Sequence, residues 1–110
     1  MSDPGIQAVQ HIAELPNSAL DASAYVLNEQ LGAVRAVLSE DGVSALAIVL
    51  PAAGPDHSDW RLALSRNLAR EFAPQRVNVV ARGGEAATQA LLTYLEGAPG
   101  VTGHYLEAHD

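Results

Sequence analysis

The sequence predicts an α/β fold: a small parallel sheet in three layers, with helices on both faces. Three observations carry this. From about residue 59 onward, stretches with helical spacing alternate with short strand-like runs, the pattern of a parallel α/β layer. The run Val43–Leu50 is apolar almost throughout, as a strand buried on both faces must be. Gly42, Pro51, the Gly83-Gly84 pair and Gly97-Ala-Pro-Gly100 punctuate the elements.

Composition bounds the chain before any motif is considered. Its 110 residues, 48% hydrophobic with a formal net charge of -7, suit one globular domain that buries roughly two thirds of its unfolded surface. There is no cysteine, so disulfides, thiolate catalysis and Cys-ligated metal are excluded. All six basic residues are arginines and the sequence pI is ≈ 4.8, which argues against nucleic acid as a partner. The start has no basic segment followed by an apolar one, and no apolar run reaches membrane-spanning length. The expectation is a cytoplasmic protein with no membrane partner. With aromatics at 5%, the core must be built from Leu, Val and Ala, which lets helices approach sheets and one another closely.

Residues 1–17 read as a separate N-terminal segment. Within 3–15 the spacing of Ile6, Val9 and Ala13, or of Ala8, Ile12 and Leu15, predicts a helix, while 6–9 also reads as a short edge strand. Pro16 breaks the chain, and Ser18 with Asp21 three residues on is a capping-box signature for a helix running to about Ser39. Leu20, Ala24, Leu27, Leu31, Val34 and Leu38 recur along it at steps of four and three, a stripe for one face. Tyr25, Val26, Ala33 and Val37 widen its flank enough to meet a second helix. Gly42 closes the helix, and Val43–Leu50 is the central strand.

The loop 51–59 follows at that strand's carboxyl end, where open α/β sheets keep their chemistry. Its Asp56-His57-Ser58-Asp59 has the letters of a hydrolytic triad, but consecutive residues cannot fold into nucleophile, base and orienter. Asp56 or Ser58 is expected instead to cap the next helix, with Asp59 in its first turn. On that helix Trp60, Leu64, Leu68 and Phe72 form one stripe, and Leu62, Ala69 and Ala73 a second roughly opposite. A helix on one sheet face needs only one stripe, so two imply two neighbours. Arg66 and Arg70 lie between them. Strand 76–81 leads to Gly83-Gly84, read as a tight turn in preference to a phosphate cradle because G-x-G-x-x-G spacing is absent. A helix over 85–96 is expected to bury Ala87, Ala90, Leu91, Tyr94 and Leu95. The last strand, 101–108, holds His104, with His109 just beyond at an odd separation that sends the two to opposite faces. His11 and His57 are remote in sequence, and no metal site is expected.

The phrases Leu68-Ala-Arg-Glu-Phe-Ala-Pro74, Val77-Asn-Val-Val80 and Val101-Thr-Gly-His-Tyr-Leu106 match in order and spacing the closing part of a known family. Residues 18–110 resemble the C-terminal half of the short-chain dehydrogenase/reductase family, so the resemblance implies a Rossmann-like half with right-handed crossovers. It also implies a serine past the central strand, and a tyrosine with a lysine four residues later. Aligned backwards from Pro74, the tyrosine position falls near Gly54, the lysine position near Ser58, and the serine among Pro51, Ala52 and Ala53. None can supply the acid chemistry, and the chain has no lysine. No Gly-rich pyrophosphate turn or ribose acid is present. Catalytic, cofactor-binding and metal residues are therefore expected to be none, with no cofactor.

In the resembled family the corresponding helix pair commonly builds a four-helix subunit interface. The expectation is a catalytically silent assembly subunit, forming a homo-oligomer (dimer or tetramer) or joining a full-length dehydrogenase. Its interface would use Leu27, Leu31, Val34, Leu62, Arg66, Ala69, Arg70 and Ala73. The competing expectation is a small ligand-binding protein or atypical enzyme working through the 51–59 loop with Arg82.

Overall fold

The computed structural model describes residues 5–109. Four parallel strands make one sheet in the order β1 (Ile6–His11), β2 (Val43–Leu50), β3 (Arg76–Ala81) and β4 (Tyr105–Glu107). This is the α/β, Rossmann-like arrangement that the apolar runs predict. β2 and β3 are the inner strands, and from Ala45 to Leu50 and Val77 to Val80 no residue is more than 3% exposed. Their side chains alternate between two cores. Leu46, Ile48, Leu50, Val77 and Val79 face one side, whereas Ala47, Val49 and Val80 face the other.

Of the two readings of 3–15 the structure has the edge strand and not the helix: β1 covers 6–11 and pairs in parallel with β2 from Gln7↔Ala45 to His11↔Val49, while residues 3–4 lie outside the described residues. The open edge of β2 decides this, because its backbone donors and acceptors need partners that only a strand can supply. Period-3.6 spacing in so short a segment does not outweigh them. The edge strand is half-wet, with Ile6 62% and Val9 40% exposed.

Residues 18–39 form one helical run in three parts: α1 (Ala19–Tyr25), a π-helical turn (Val26–Gln30) and α2 (Leu31–Leu38). Ser18 is the N-cap, its Oγ accepting from Asp21 N at 3.1 Å as the capping box predicts. The stripe predicted for this helix holds only after the π turn. Leu31 is partly buried, and Val34 and Leu38 are buried, but Leu20 is 85% and Leu27 51% exposed, and Ala24 is exposed too. A π turn takes about one residue more than an α turn. The sheet-facing set therefore slips across it, and Ala22 and Val26 are the buried residues ahead of it.

α3 (Ser58–Phe72) follows a 3-10 turn, Pro55–His57, and starts with no side-chain cap, so neither Asp56 nor Ser58 plays the expected role. Its buried residues are Arg61, Leu64, Ser65 and Leu68. α4 (Glu85–Glu96) buries Thr88, Leu92 and Leu95, with Tyr94 57% exposed and Ala90 exposed, a face turned by about one residue from the predicted one. The set 88, 92, 95 is helical spacing with a threonine in the place where the apolar pattern alone favours alanine.

α1, α2 and α3 pack on one face of the sheet and α4 on the other. The strand order advances in one direction throughout, so the change of face forces a change of hand. The β3–α4–β4 crossover therefore has the hand opposite to the first two, against the expectation that all would be right-handed. Specific side chains secure the two outer helices. Gln75 Nε2 donates to the carbonyls of Leu38 and Val43, and Arg76 Nη1 donates to those of Leu95 and Ala98, so one dipeptide fastens the carboxyl ends of α2 and α4.

The last strand is three residues long, yet its pairing to β3 continues through side chains. Val77 N donates to Thr102 Oγ1, Gly103 N to Val77 O, and Val79 N to the His104 carbonyl. Buried Asn78 reaches the same segment, donating to Val101 O and accepting from His104 N. Gly103 has φ +75, which a side chain would strain, and it lies against Ala69 and Arg66 of α3. Both His104 and His109 lie outside the strand, so their separation carries no facial meaning.

Asn78→Ala removes both hydrogen bonds to this segment and leaves their backbone partners unpaired, at a cost of about 2 kcal/mol. A urea titration should show a lowered midpoint with an unchanged slope, and amide exchange should speed up at Val79 and His104.

Candidate functional site

The carboxyl ends of β1 and β2 open into a cavity of ≈ 350 Å³ built from Leu15, Pro16 and Asn17 after β1, and from the loop 51–57 after β2. Among its lining residues only His57, 6% exposed, and Arg61, 1% exposed, are buried, so these two form the floor. Pro51, Ala52, Ala53 and Gly54 make the walls, and Asp56 stands exposed at the rim.

His57 is fully engaged. Trp60 Nε1 is a donor only, and it lies 3.0 Å from His57 Nδ1, which must therefore accept. The proton is then on Nε2, which donates to Asn17 O at 3.0 Å. Asp56 approaches that nitrogen only to 3.8 Å, with its side chain 70% exposed. Both ring nitrogens are committed to positioning the Pro16–Asn17 corner and Trp60, so the imidazole of the triad-like tetrapeptide is engaged on both sides.

Arg61 is the residue sequence reasoning passed over. Its Nη1 donates to Pro51 O at 2.9 Å and to Tyr105 Oη at 3.1 Å. Its guanidinium carbon lies 5.4 Å from the Trp60 ring centre and 5.6 Å from that of Tyr105. These contacts tie α3 to the β2 loop and to β4. A guanidinium carries a positive charge. Burying such a charge costs several kcal/mol, and two cation–π contacts of about 1 kcal/mol each with two neutral acceptors offset only part of it. Nε has no hydrogen-bond partner, and among the described residues no carboxylate lies within ion-pair distance of Arg61. The signal was present in the sequence, since positions 61, 64, 65, 68 and 72 share a helical face and an arginine interrupts it. Ser65 on the same face donates to the carbonyl of His104 at 2.8 Å and lies 3.3 Å from that of Val77.

Arg82 does not line this cavity; its backbone N donates to Leu50 O. Gly83-Gly84 is a turn. Gly83 N donates to Thr88 Oγ1, and a Cβ at Gly83 would meet Ala108 O at 2.5 Å, which requires glycine there. A phosphate cradle would need that N–H for its ligand. Among the described residues no three His, Asp or Glu side chains gather as metal ligands, and no helix is long and apolar enough to cross a membrane.

The residues expected at an interface fall on separate surfaces. Leu27 and Leu31 line an open groove of ≈ 200 Å³ between the α1–α2 run and α3, together with Trp60, Ala63, Leu64 and Asn67. Leu62, Arg66, Ala69 and Arg70 line a different recess, against Thr102, Gly103 and His104. The second stripe on α3 thus has a neighbour within the chain. Val34 is 1% exposed and belongs to the core, while Ala73 is exposed at the end of α3.

A family model described as short chain dehydrogenase-like protein matches residues 10–108. The chain belongs to this SDR-like family. No curated protein and no solved structure matches it. The match covers all four strands except the first residues of β1, and the three phrases that carried the resemblance occupy the end of α3, strand β3 and the segment closing on β4. In this SDR-like chain Gly54 lines the cavity just before the 3-10 turn, and Ser58 opens α3 without lining it.

Trp60→Phe keeps a ring beside Arg61 but removes the N–H that fixes His57. The expected result is a loss of about 1 kcal/mol and a His57 ring that samples both tautomers, read from the imidazole nitrogen shifts by NMR.

Proposed function

We propose that this SDR-like chain is a non-catalytic assembly subunit that pairs with a second copy of itself through the α1–α3 groove. One observation carries the reading: an open groove with apolar walls, Leu27, Leu31, Trp60, Ala63 and Leu64, in which Leu27 is 51% exposed. An exposed apolar groove on a small domain suits association, and a two-fold copy is the commonest partner.

Charge supports a copy as the occupant. Arg35 on α2 and Glu71 on α3 bridge at one end of the groove at 3.3 Å, each about half exposed. A two-fold axis passing beside this pair, at that end of the groove, would set the Arg35 of one copy towards the Glu71 of the other. The non-catalytic part of the reading rests on the residues aligned with the family's acid chemistry, Gly54 and Ser58, and on the lack of any lysine in these 110 residues. The engaged His57 supports it further. A cytoplasmic setting agrees with a sequence free of cysteine.

Light scattering after size exclusion should give twice the 11.5 kDa chain mass at micromolar concentration. Leu27→Asp places a charge in the contact without touching the core, and should yield a folded species of single-chain mass with a circular dichroism spectrum like that of the parent. A wild-type chain running as a monomer overturns self-association. Co-elution of such a monomer with a full-length short-chain dehydrogenase would establish the heteromeric form instead.

A further inference from the structure

The buried Arg61 lines the strand-end cavity and is not among the residues lining the α1–α3 groove. We infer that this cavity binds a small organic monocarboxylate, held by Arg61. The inference joins three independent features. The cavity of ≈ 350 Å³ is large enough for a compact organic acid and lies at the carboxyl ends of parallel strands, where backbone and side chains converge on bound ligands in α/β sheets. Its floor holds a positively charged side chain, 1% exposed, whose hydrogen-bond and ring partners are all neutral and whose Nε has none. Arg61 is the one cationic side chain among the cavity's described lining residues.

The charge count selects the ligand class. One guanidinium neutralises one negative charge, and its planar fork matches a carboxylate. A phosphate monoester would bring nearly a second charge into a low-dielectric site with no second cation on its wall, and would meet Asp56 at the rim. The cavity volume limits the body of the acid to a few carbons. His57 contributes shape and no charge, because Trp60 and Asn17 hold both its nitrogens. Arg61 is thus a binding residue for an acid.

The test titrates isotope-labelled full chain with sodium benzoate, with benzamide as the neutral isostere and with inorganic phosphate, following backbone amides by NMR. Benzoate is expected to shift residues 15–17 and 52–57 saturably, at least about tenfold more tightly than benzamide, the factor expected of a charged over a neutral hydrogen-bond partner. Arg61→Gln retains an amide donor for Pro51 O and should lose the preference for benzoate. Since that variant could fail to fold, Ala53→Leu, which fills the wall and leaves Arg61 in place, should abolish the shifts on a protein with an unchanged fold. Equal binding of benzoate and benzamide, saturation by phosphate instead of benzoate, shifts confined to other surfaces, or an undiminished response of Ala53→Leu would each overturn the assignment.

Discussion

The structure depends on the parallel pairing of β2 with β3. Six residue pairs, Ala45↔Arg76 to Leu50↔Ala81, align the two inner strands, and both faces of that pair are covered by helices. A parallel pair cannot be closed by a tight turn, so its connection must be a crossover, and α3 supplies it. Once the pair is set, each unsatisfied edge recruits a further strand. β1 takes the open side of β2, and β4 takes that of β3. The buried backbone groups at these edges have no water to turn to, which makes the recruitment obligatory.

α3 carries three duties from one surface pattern. Leu64 and Leu68 cover the sheet, Arg61 and Ser65 bond to the β2 loop and the closing segment, and Ala63 with Asn67 walls the outer groove. Placing a charge and a hydroxyl on the buried face of a helix is unfavourable in isolation. Here Arg61 finds the Pro51 carbonyl where β2 ends, and Ser65 the carbonyls of Val77 and His104 where β3 and β4 begin. The same polar contacts locate the strand-end cavity relative to the sheet, so fold and candidate site share their supports. The π turn in the preceding helix has a comparable double effect. By slipping the buried register it sends Leu20 and Leu27 outward, and it leaves Leu31, Val34 and Leu38 on the sheet side.

Much of the fold is legible in sequence because its strongest signals are local. The run Val43–Leu50 reads as a doubly buried strand since no polar residue but Ser44 interrupts it, and Ser18 with Asp21 reads as a helix start because both partners of the cap are three residues apart. The site is legible only in place. That the loop after β2 lines a cavity follows from strand polarity, but that Arg61 and not Arg82 floors it depends on which way α3 rotates over the sheet. The interface residues separate for the same reason, since Leu27 and Leu62 both belong to apolar stripes yet end on different sides of α3.

By itself the sequence determined the class of fold, the identity of the inner strands, the helix run 18–39 and the family phrases at the end of α3 and in β3. All of these depend on periodicity or on residues close together in the chain, which physical chemistry acts on without knowledge of distant partners. Only the tertiary structure decided that 6–11 is a strand, that the last crossover changes face and hand, that the N-terminal half of the stripe turns outward, and that a guanidinium is buried at the strand ends. The stripe turns at the π turn, and the other three are settled by contacts between residues far apart in the chain: the free edge of β2 for β1, the alternate face of β2 and β3 for α4, and Tyr105 for Arg61. A local pattern cannot encode which distant group will satisfy a hydrogen bond or cover an apolar face, because that choice belongs to the whole chain once it has closed on itself.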